Sequence, residues 1–158
     1  MEFRKATPSD VEALSRLRAD MIREEDDYSE AFLGMIYSNT KHYIENGMAD
    51  KSYSAWVADD NGNIAAMGGV TFYTLPPNDW CPTGKTAYIG NVYTLPAFRR
   101  QGIASRLFAL LIEEAKNNLC QRILLNASDM GRPLYEKFGF AGSPTAMAMY
   151  PFGIIPEV

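Results

Sequence analysis

One continuous stretch constrains this chain more than any other: TAYIGNVYTL, the joint PAFRRQGIA, the run SRLFALLIEEAKNNL, and then RILLNAS. The first run is rich in β-branched and aromatic residues and reads as a strand, the third as a long amphipathic helix, and the last as a short buried strand beside the first. That succession is a β-α-β crossover. The chain must therefore build a sheet and pack a helix against it.

The flanking segments fill in the sheet. EFRKAT alternates as a short strand, and TPSD supplies Thr7 as a cap, Pro8 at the first helical position and Asp10 where a carboxylate meets free amides. Val11, Leu14, Leu17, Arg18 and Met21 then fall on one helical stripe, which the acidic junction REEDDYSE interrupts. Asp27 with Glu30 is the expected cap of a second helix carrying Phe32, Leu33, Ile36, Tyr37, Tyr43 and Ile44, with ENG at 45–47 as its stop. SYSAWVAD and IAAMGGVTFYTL flank DNGN, where Asn61 and Gly62 accept the backbone of a tight hairpin turn. PPNDWCPTGK reads as a loop. The tail predicts a short helix through PLYEKF, a stop at Gly139 and a last strand around TAMAMYPF. The whole order predicts a layered α+β domain.

Composition narrows the class of partner. With 158 residues, 47% of them hydrophobic and 22% charged, the chain has room for one core. A net charge of -4 disfavours the broad basic face that nucleic-acid binding requires, which leaves a small partner as the expectation. The longest strong apolar run, LFALLI, is too short for a bilayer, and the charged N-terminus does not read as a secretory segment, so a soluble, cytoplasmic protein without a membrane partner is expected. Cys81 and Cys120 form no CxxC pair and His42 is the single histidine, so no metal site and no histidine-centred triad is expected.

The joint FRRQGIA carries the first chemical signal. Where a strand runs into a helix, the first helical amides lack internal acceptors and the helix dipole adds partial positive charge. Phosphate is favoured there. Gly102 lets an anion approach the main chain, Arg99 and Arg100 add charge, and Gln101 adds a donor; on this segment alone a solvated turn explains the residues equally well. Neither GxxxxGK[ST] nor GxGxxG is present, which removes the usual basis for nucleoside triphosphate or dinucleotide binding.

The joint resembles the acetyl-CoA loop [RQ]xxGx[GA] of the GNAT superfamily of N-acetyltransferases, with Arg99, Gly102 and Ala104 at the motif positions. NVYTLPAFRRQGIASRLFALLIEEA is similar to that family's strand, pyrophosphate loop and helix, and LYEKFGF to its later helix, in the same order. The resemblance is densest from Thr86 to Phe140. It implies a single GNAT-like domain over residues 1–158, α+β, with a mixed, largely antiparallel twisted sheet and helices on both faces. It implies acetyl-CoA as acyl donor and transfer of the acetyl group to a primary amine by direct attack, without a metal. A non-catalytic acyl-CoA-binding or sensing domain is the alternative.

Residue by residue, the resemblance places Val92 and Thr94 along the pantetheine arm, with the Val92 amide stabilising the oxyanion. Arg99, Arg100 and the main chain of Gln101, Gly102, Ile103, Ala104 and Ser105 hold the pyrophosphate. Tyr135 protonates the departing thiolate, a role that suits a phenol of unperturbed pKa near ~10. Two positions depart from the family pattern: Arg100 stands where many relatives carry glycine, and Ser128 where an asparagine often helps hold the pantetheine.

The acceptor is less well marked. The resemblance implies a small-molecule or peptide amine, and a homodimer is left open. Glu24, Glu25, Asp26 and Asp27 attract a cationic amine if they border its pocket, and are otherwise a solvated junction. Tyr28, Phe32 and Tyr37 fit a pocket wall or core packing equally, Trp80 fits a lid, an oligomer contact or local packing, and MAMYPFGII fits an exposed interaction edge.

Overall fold

Along one strand of the computed structural model, Tyr53, Ala55 and Val57 pack with one set of helices, while Trp56 and Ala58 pack with another. This two-residue alternation sorts the core into two layers. The structure describes residues 1–143 and 145–151, which form two compact units, residues 1–125 and the stretch that begins at Asn126.

In the first unit five strands lie in chain order: β1 (Glu2–Lys5), β2 (Tyr53–Asp60), β3 (Asn63–Thr74), β4 (Lys85–Thr94) and β5 (Arg122–Leu124). Neighbours are antiparallel except β4 and β5, which are parallel and joined through α3 (Ile103–Asn117). The expected crossover is thus present. The helices α1 (Val11–Arg23) and α2 (Glu30–Asp50) cover the opposite face, where Val11, Leu14, Leu17 and Ile44 meet Tyr53, Val57 and Met67. On the other side Ile103 and Leu107 of α3 meet Ala58 and Ala66. A mixed, largely antiparallel sheet with helices on both faces is the architecture the sequence implied.

Local chemistry fixes the entry to α1. The Asp10 carboxylate accepts from the Thr7 amide at 2.8 Å and from both Arg4 Nη atoms at 2.8 Å, and Arg4 Nε reaches Asp59 at 3.0 Å. Arg4 holds the Asp10 carboxyl down at about 2. The hairpin turn forms as its residues require, with Asn61 at φ 54° and Gly62 at φ 89°.

Three expectations change. The second helix is capped by Ser29, whose hydroxyl accepts from the Phe32 amide at 3.2 Å, and not by Asp27 with Glu30. The ENG run does not stop that helix. Gly47 is an interior residue whose bare Cα admits Tyr53, since a Cβ there would lie 2.4 Å from Tyr53 Cβ; the helix ends at Asp50, with Lys51 turning at φ 65°. Finally, residues 145–151 of the expected last strand form no strand. Met147 and Met149 of that segment stand exposed, at 96% and 79%, so it gains none of the burial that favours strand pairing. Phe152 and the rest of MAMYPFGII lie outside the described residues. The second unit contains the short helix α4 (Arg132–Lys137), followed by Gly139 at φ 88° as expected.

Candidate functional site

The site is organised by an irregularity in β4. Gly69 pairs with Gly90 and Met67 with Tyr93, so the single residue Gly68 on β3 faces two on β4, Asn91 and Val92. This is a β-bulge, and Asn91 occupies the left-handed region at φ 56°. Asparagine tolerates that conformation better than most residues. The bulge switches the alternation of the strand: Tyr88 and Gly90 face the α1 and α2 side, and beyond the bulge so does Tyr93. Val92 turns towards α3, its Cγ2 in the layer that Leu111 occupies.

Pairing with β5 ends at Tyr88 opposite Leu124. From Ile89 to Thr94, β4 therefore has β3 on one side and, among the described residues, no strand on the other. An open edge next to a bulge presents main-chain groups to a ligand that lies extended along it. Val92 and Thr94 stand on this edge. Thr94 Oγ1 is buried without a hydrogen-bond partner, and its carbonyl accepts from Arg99 Nε at 2.9 Å.

The joint after β4 has two left-handed residues, Arg100 at φ 65° and Gly102 at φ 76°. For an arginine this region is costly, and the cost explains why glycine suits the position in the family that the loop resembles. α3 begins at Ile103, which is buried with Ala58, Ala66 and Leu107. The first helical bond behind the cap runs from the Arg106 amide to the Gly102 carbonyl at 3.1 Å, so the amides of Ile103, Ala104 and Ser105 have no acceptor within the helix. A Cβ at Gly102 would meet nothing within 4 Å, so the approach to these amides is open. Arg100, Gln101 and Gly102 are exposed, and Gln101 Nε2 lies 3.4 Å from the Ala97 carbonyl.

Arg99 does not point freely outward. Its Nη2 donates to Glu24 at 2.5 Å, and Glu24 also accepts from the Tyr93 hydroxyl at 2.8 Å. The Arg99 guanidinium holds the Glu24 carboxyl below its ordinary value, while burial, and then Glu24, push the Tyr93 phenol up to about 12. One carboxylate of the acidic junction thus ties α1 to the joint. Sequence reasoning marked both residues but not their pairing, which only the fold brings about.

In the second unit, Ser128 closes the turn into α4, its hydroxyl accepting from the Gly131 amide at 3.2 Å and its carbonyl from the Arg132 amide at 2.9 Å. Tyr135 packs its ring over Gly131, where a Cβ would lie 2.9 Å from the ring, and faces Phe140 at 6.5 Å between centroids. The partly buried phenol is held in place by these neighbours.

A cavity of about 320 Å³ opens on the α1 and α2 face of the sheet. Gly90 and Asn91 of the bulged strand line it, with Tyr88, Tyr53 from β2, Thr71 from β3, and Arg18, Asn39 and Tyr43 from the helices. The Tyr43 hydroxyl bonds to that of Thr71, and the Tyr43 ring stands edge-on to Tyr53 at 5.5 Å. Burial pushes the Tyr53 phenol up, so it remains a neutral donor. Gly69 is bare because Tyr53 lies across it: a Cβ would be 2.2 Å from the Tyr53 hydroxyl.

Most of these residues escaped sequence reasoning because five elements contribute them. Arg18 was the available signal, a charged residue on a stripe that otherwise faces the core. None of Tyr28, Phe32, Tyr37 or Trp80 lines this cavity. Tyr28 stacks on Phe32 at 4.9 Å, Tyr37 donates to Glu12 at 2.5 Å, and Trp80 is 86% exposed. The junction carboxylates Glu24 to Asp27 do not line it either.

Comparison with known proteins shows the family. Residues 17–140 match the Acetyltransferase (GNAT) family. The chain belongs to that family. It is similar to a predicted acetyltransferase of Clostridium acetobutylicum solved with acetyl-CoA, at 30% identity and a TM-score of 0.86, covering 94% of this chain and 95% of that one. A GCN5-related N-acetyltransferase of Ralstonia eutropha JMP134 gives 29% identity and a TM-score of 0.86, covering 96% and 99%. An uncharacterized N-acetyltransferase of Escherichia coli K12, YjgM, is 29% identical over 91 residues, 56% of this chain and 51% of that protein. The chain spans about half the length of the curated relatives it matches.

Proposed function

We propose that this protein is an acetyl-CoA-dependent N-acetyltransferase that moves the acetyl group to a primary amine by direct attack on the thioester. The observation that carries the reading is the β4 bulge: Asn91 lines an acceptor-sized cavity, and the same strand leads through Thr94 and Arg99 to the open N-terminus of α3. The acetyl-CoA in the Clostridium structure supports the choice of donor.

In this reading the amides from Gln101 to Ser105, with Arg100, hold the pyrophosphate, and the open space over Gly102 fits it. Arg99 keeps the joint in position through Glu24. The open edge at Val92 and Thr94 holds the pantetheine arm, and Ser128 adds a hydroxyl to it. The amine nitrogen attacks the thioester carbonyl and the charge that develops on its oxygen falls to the Val92 amide, a stabilisation worth roughly 3 to 4 kcal/mol at comparable sites. The carbon–sulfur bond then breaks, Tyr135 gives its proton to the leaving thiolate, and the amine loses its own proton to solvent, which returns one to Tyr135.

The test is an acetyl-CoA-dependent screen of amine classes that detects released thiol. Acyl transfer to an amine with matching thiol release supports the reading; CoA binding without release from any amine supports the second reading, an acyl-CoA-binding domain. That reading is favoured by one observation, the lack of any carboxylate or imidazole among the described residues that line the cavity. An enzyme with this lining draws on the neutral fraction of its amine, so its rate rises with pH.

A further inference from the structure

The charge inside the cavity is unusual for a pocket that receives an amine. Among the described residues that line it, Arg18 is the one charged residue and none carries a negative charge. Every other arginine of α1 has a carboxylate: Arg16 pairs with Glu12 at 3.1 Å, and Arg23 with Asp20 at 2.6 Å. Among the described residues Arg18 has only the thioether of Met21, 3.4 Å from its Nη1, which is a weak acceptor. The residues three and four positions away along the helix, Leu14, Ser15, Met21 and Ile22, offer no acid, and α2 and the sheet contribute only neutral groups to the cavity.

We propose that Arg18 recognises a carboxylate on the acceptor, so that the acceptor is a small zwitterion, an amine with a carboxylate a few bonds away, and not a polyamine. The proposal rests on the transferase reading for the amine and on the cavity alone for the anion. A guanidinium presents a planar fork of donors to a carboxylate, and a half-buried fork paired with no carboxylate among the described residues binds it more strongly than a solvated one does. The hydroxyls of Tyr88 and Thr71 and the amides of Asn39 and Asn91 satisfy the remaining polar atoms of such a molecule without repelling either charge. The volume also fits. About 320 Å³ is at the small end of ligand sites, suited to an amino acid and not to a folded chain. A polyamine would bring two or more positive charges against Arg18 with no counter-charge.

The test compares three series of acceptors with acetyl-CoA: amino acids, the corresponding carboxamides, and the corresponding decarboxylated amines. Wild type is expected to favour the carboxylates by about 10- to 100-fold in kcat/KM, the range that hydrogen bonds to a charged group supply. Arg18→Gln should remove that preference, chiefly by raising KM for the carboxylates, while its thermal stabilisation by CoA is retained. Equal or better use of the decarboxylated amines by wild type overturns the proposal, as does an equal loss on all three series in Arg18→Gln. Binding is read separately from turnover through the rise in Tm with N-acetylated amino acids against their amides. A rise in wild type that Arg18→Gln abolishes, without turnover of any amine, supports the anion site and rejects the transferase. No turnover and no rise rejects both.

Discussion

Arg99 and Glu24 lie 75 positions apart in sequence and share an ion pair of 2.5 Å that fastens the joint after β4 to the end of α1. The side chains are 33% and 37% exposed, so solvent screening leaves the pair less than about 1 kcal/mol of stability. Its larger effect is expected on the position of the joint. Glu24→Gln and Arg99→Ala should each weaken CoA binding by a similar factor, and the double variant by no more than either alone, because all three break one link. Calorimetric titration of the three proteins checks this; independent, multiplying losses would assign Arg99 directly to the phosphate.

The same pair predicts a pH dependence. Arg99 lowers the folded pKa of Glu24, so its contribution is fully present above the unfolded value of roughly 4.3 and is lost as pH falls through the folded value. The Tm difference between wild type and Glu24→Gln should therefore be constant above about pH 5 and shrink on further acidification. A difference that grows on acidification contradicts this sign.

How much of this could be read from the sequence depends on whether a signal was local. The crossover, the hairpin at Asn61 and Gly62 and the short helix before Gly139 are local patterns, and each appears where its residues put it. The cap at Ser29 and the continuation of α2 through Gly47 were missed because several residues compete at each point, and packing decides: Tyr53 fills the space over Gly47. The bulge left a faint trace in the Gly90–Asn91 pair, two poor strand formers inside an otherwise regular strand. The cavity left almost none, because Tyr43, Tyr53 and Tyr88 meet only after three elements have folded.

Arg100 offers a trade-off that can be measured. Its left-handed backbone costs about 1 to 2 kcal/mol, part of which glycine returns as chain entropy. Arg100→Gly should thus gain about 0.5 to 1 kcal/mol, a rise in Tm of about 2 °C for a chain of this size. It should also weaken CoA binding several-fold at low salt, with the loss shrinking at high salt as charge is screened. A rise in Tm with unchanged affinity at low salt would show that the side chain does not touch the phosphates.

Gly69 tests the floor of the cavity. In Gly69→Ala the new Cβ would lie 2.2 Å from the hydroxyl of Tyr53 and 2.8 Å from its ring carbons, and the ring is buried. The overpacking should cost about 1 to 3 kcal/mol and raise the acceptor KM while leaving CoA affinity intact. Gly34→Ala serves as control. It lies exposed in α2 with nothing within 4 Å of a Cβ, so it should gain up to about 1 kcal/mol from helix propensity. Thermal melts of the two variants should move in opposite directions.

Tyr135 separates a transferase from a binder, because an open helix terminus and a bulge serve both. Tyr135→Phe removes the hydroxyl and keeps the ring that packs over Gly131 and faces Phe140, so the variant should fold and bind acetyl-CoA much as wild type does. If the phenol protonates the leaving thiolate, turnover should fall by about 10²-fold or more, the usual scale of general acid catalysis. Steady-state rates understate the loss when product release is slow, so single-turnover acetyl transfer across pH is the informative measurement. A thiolate that leaves unprotonated depends less on the phenol for donors of low thiol pKa, and an acetyl thioester of a more acidic thiol should therefore narrow the gap between the two proteins. Equal single-turnover rates with acetyl-CoA would take Tyr135 out of the reaction and pass the proton to water.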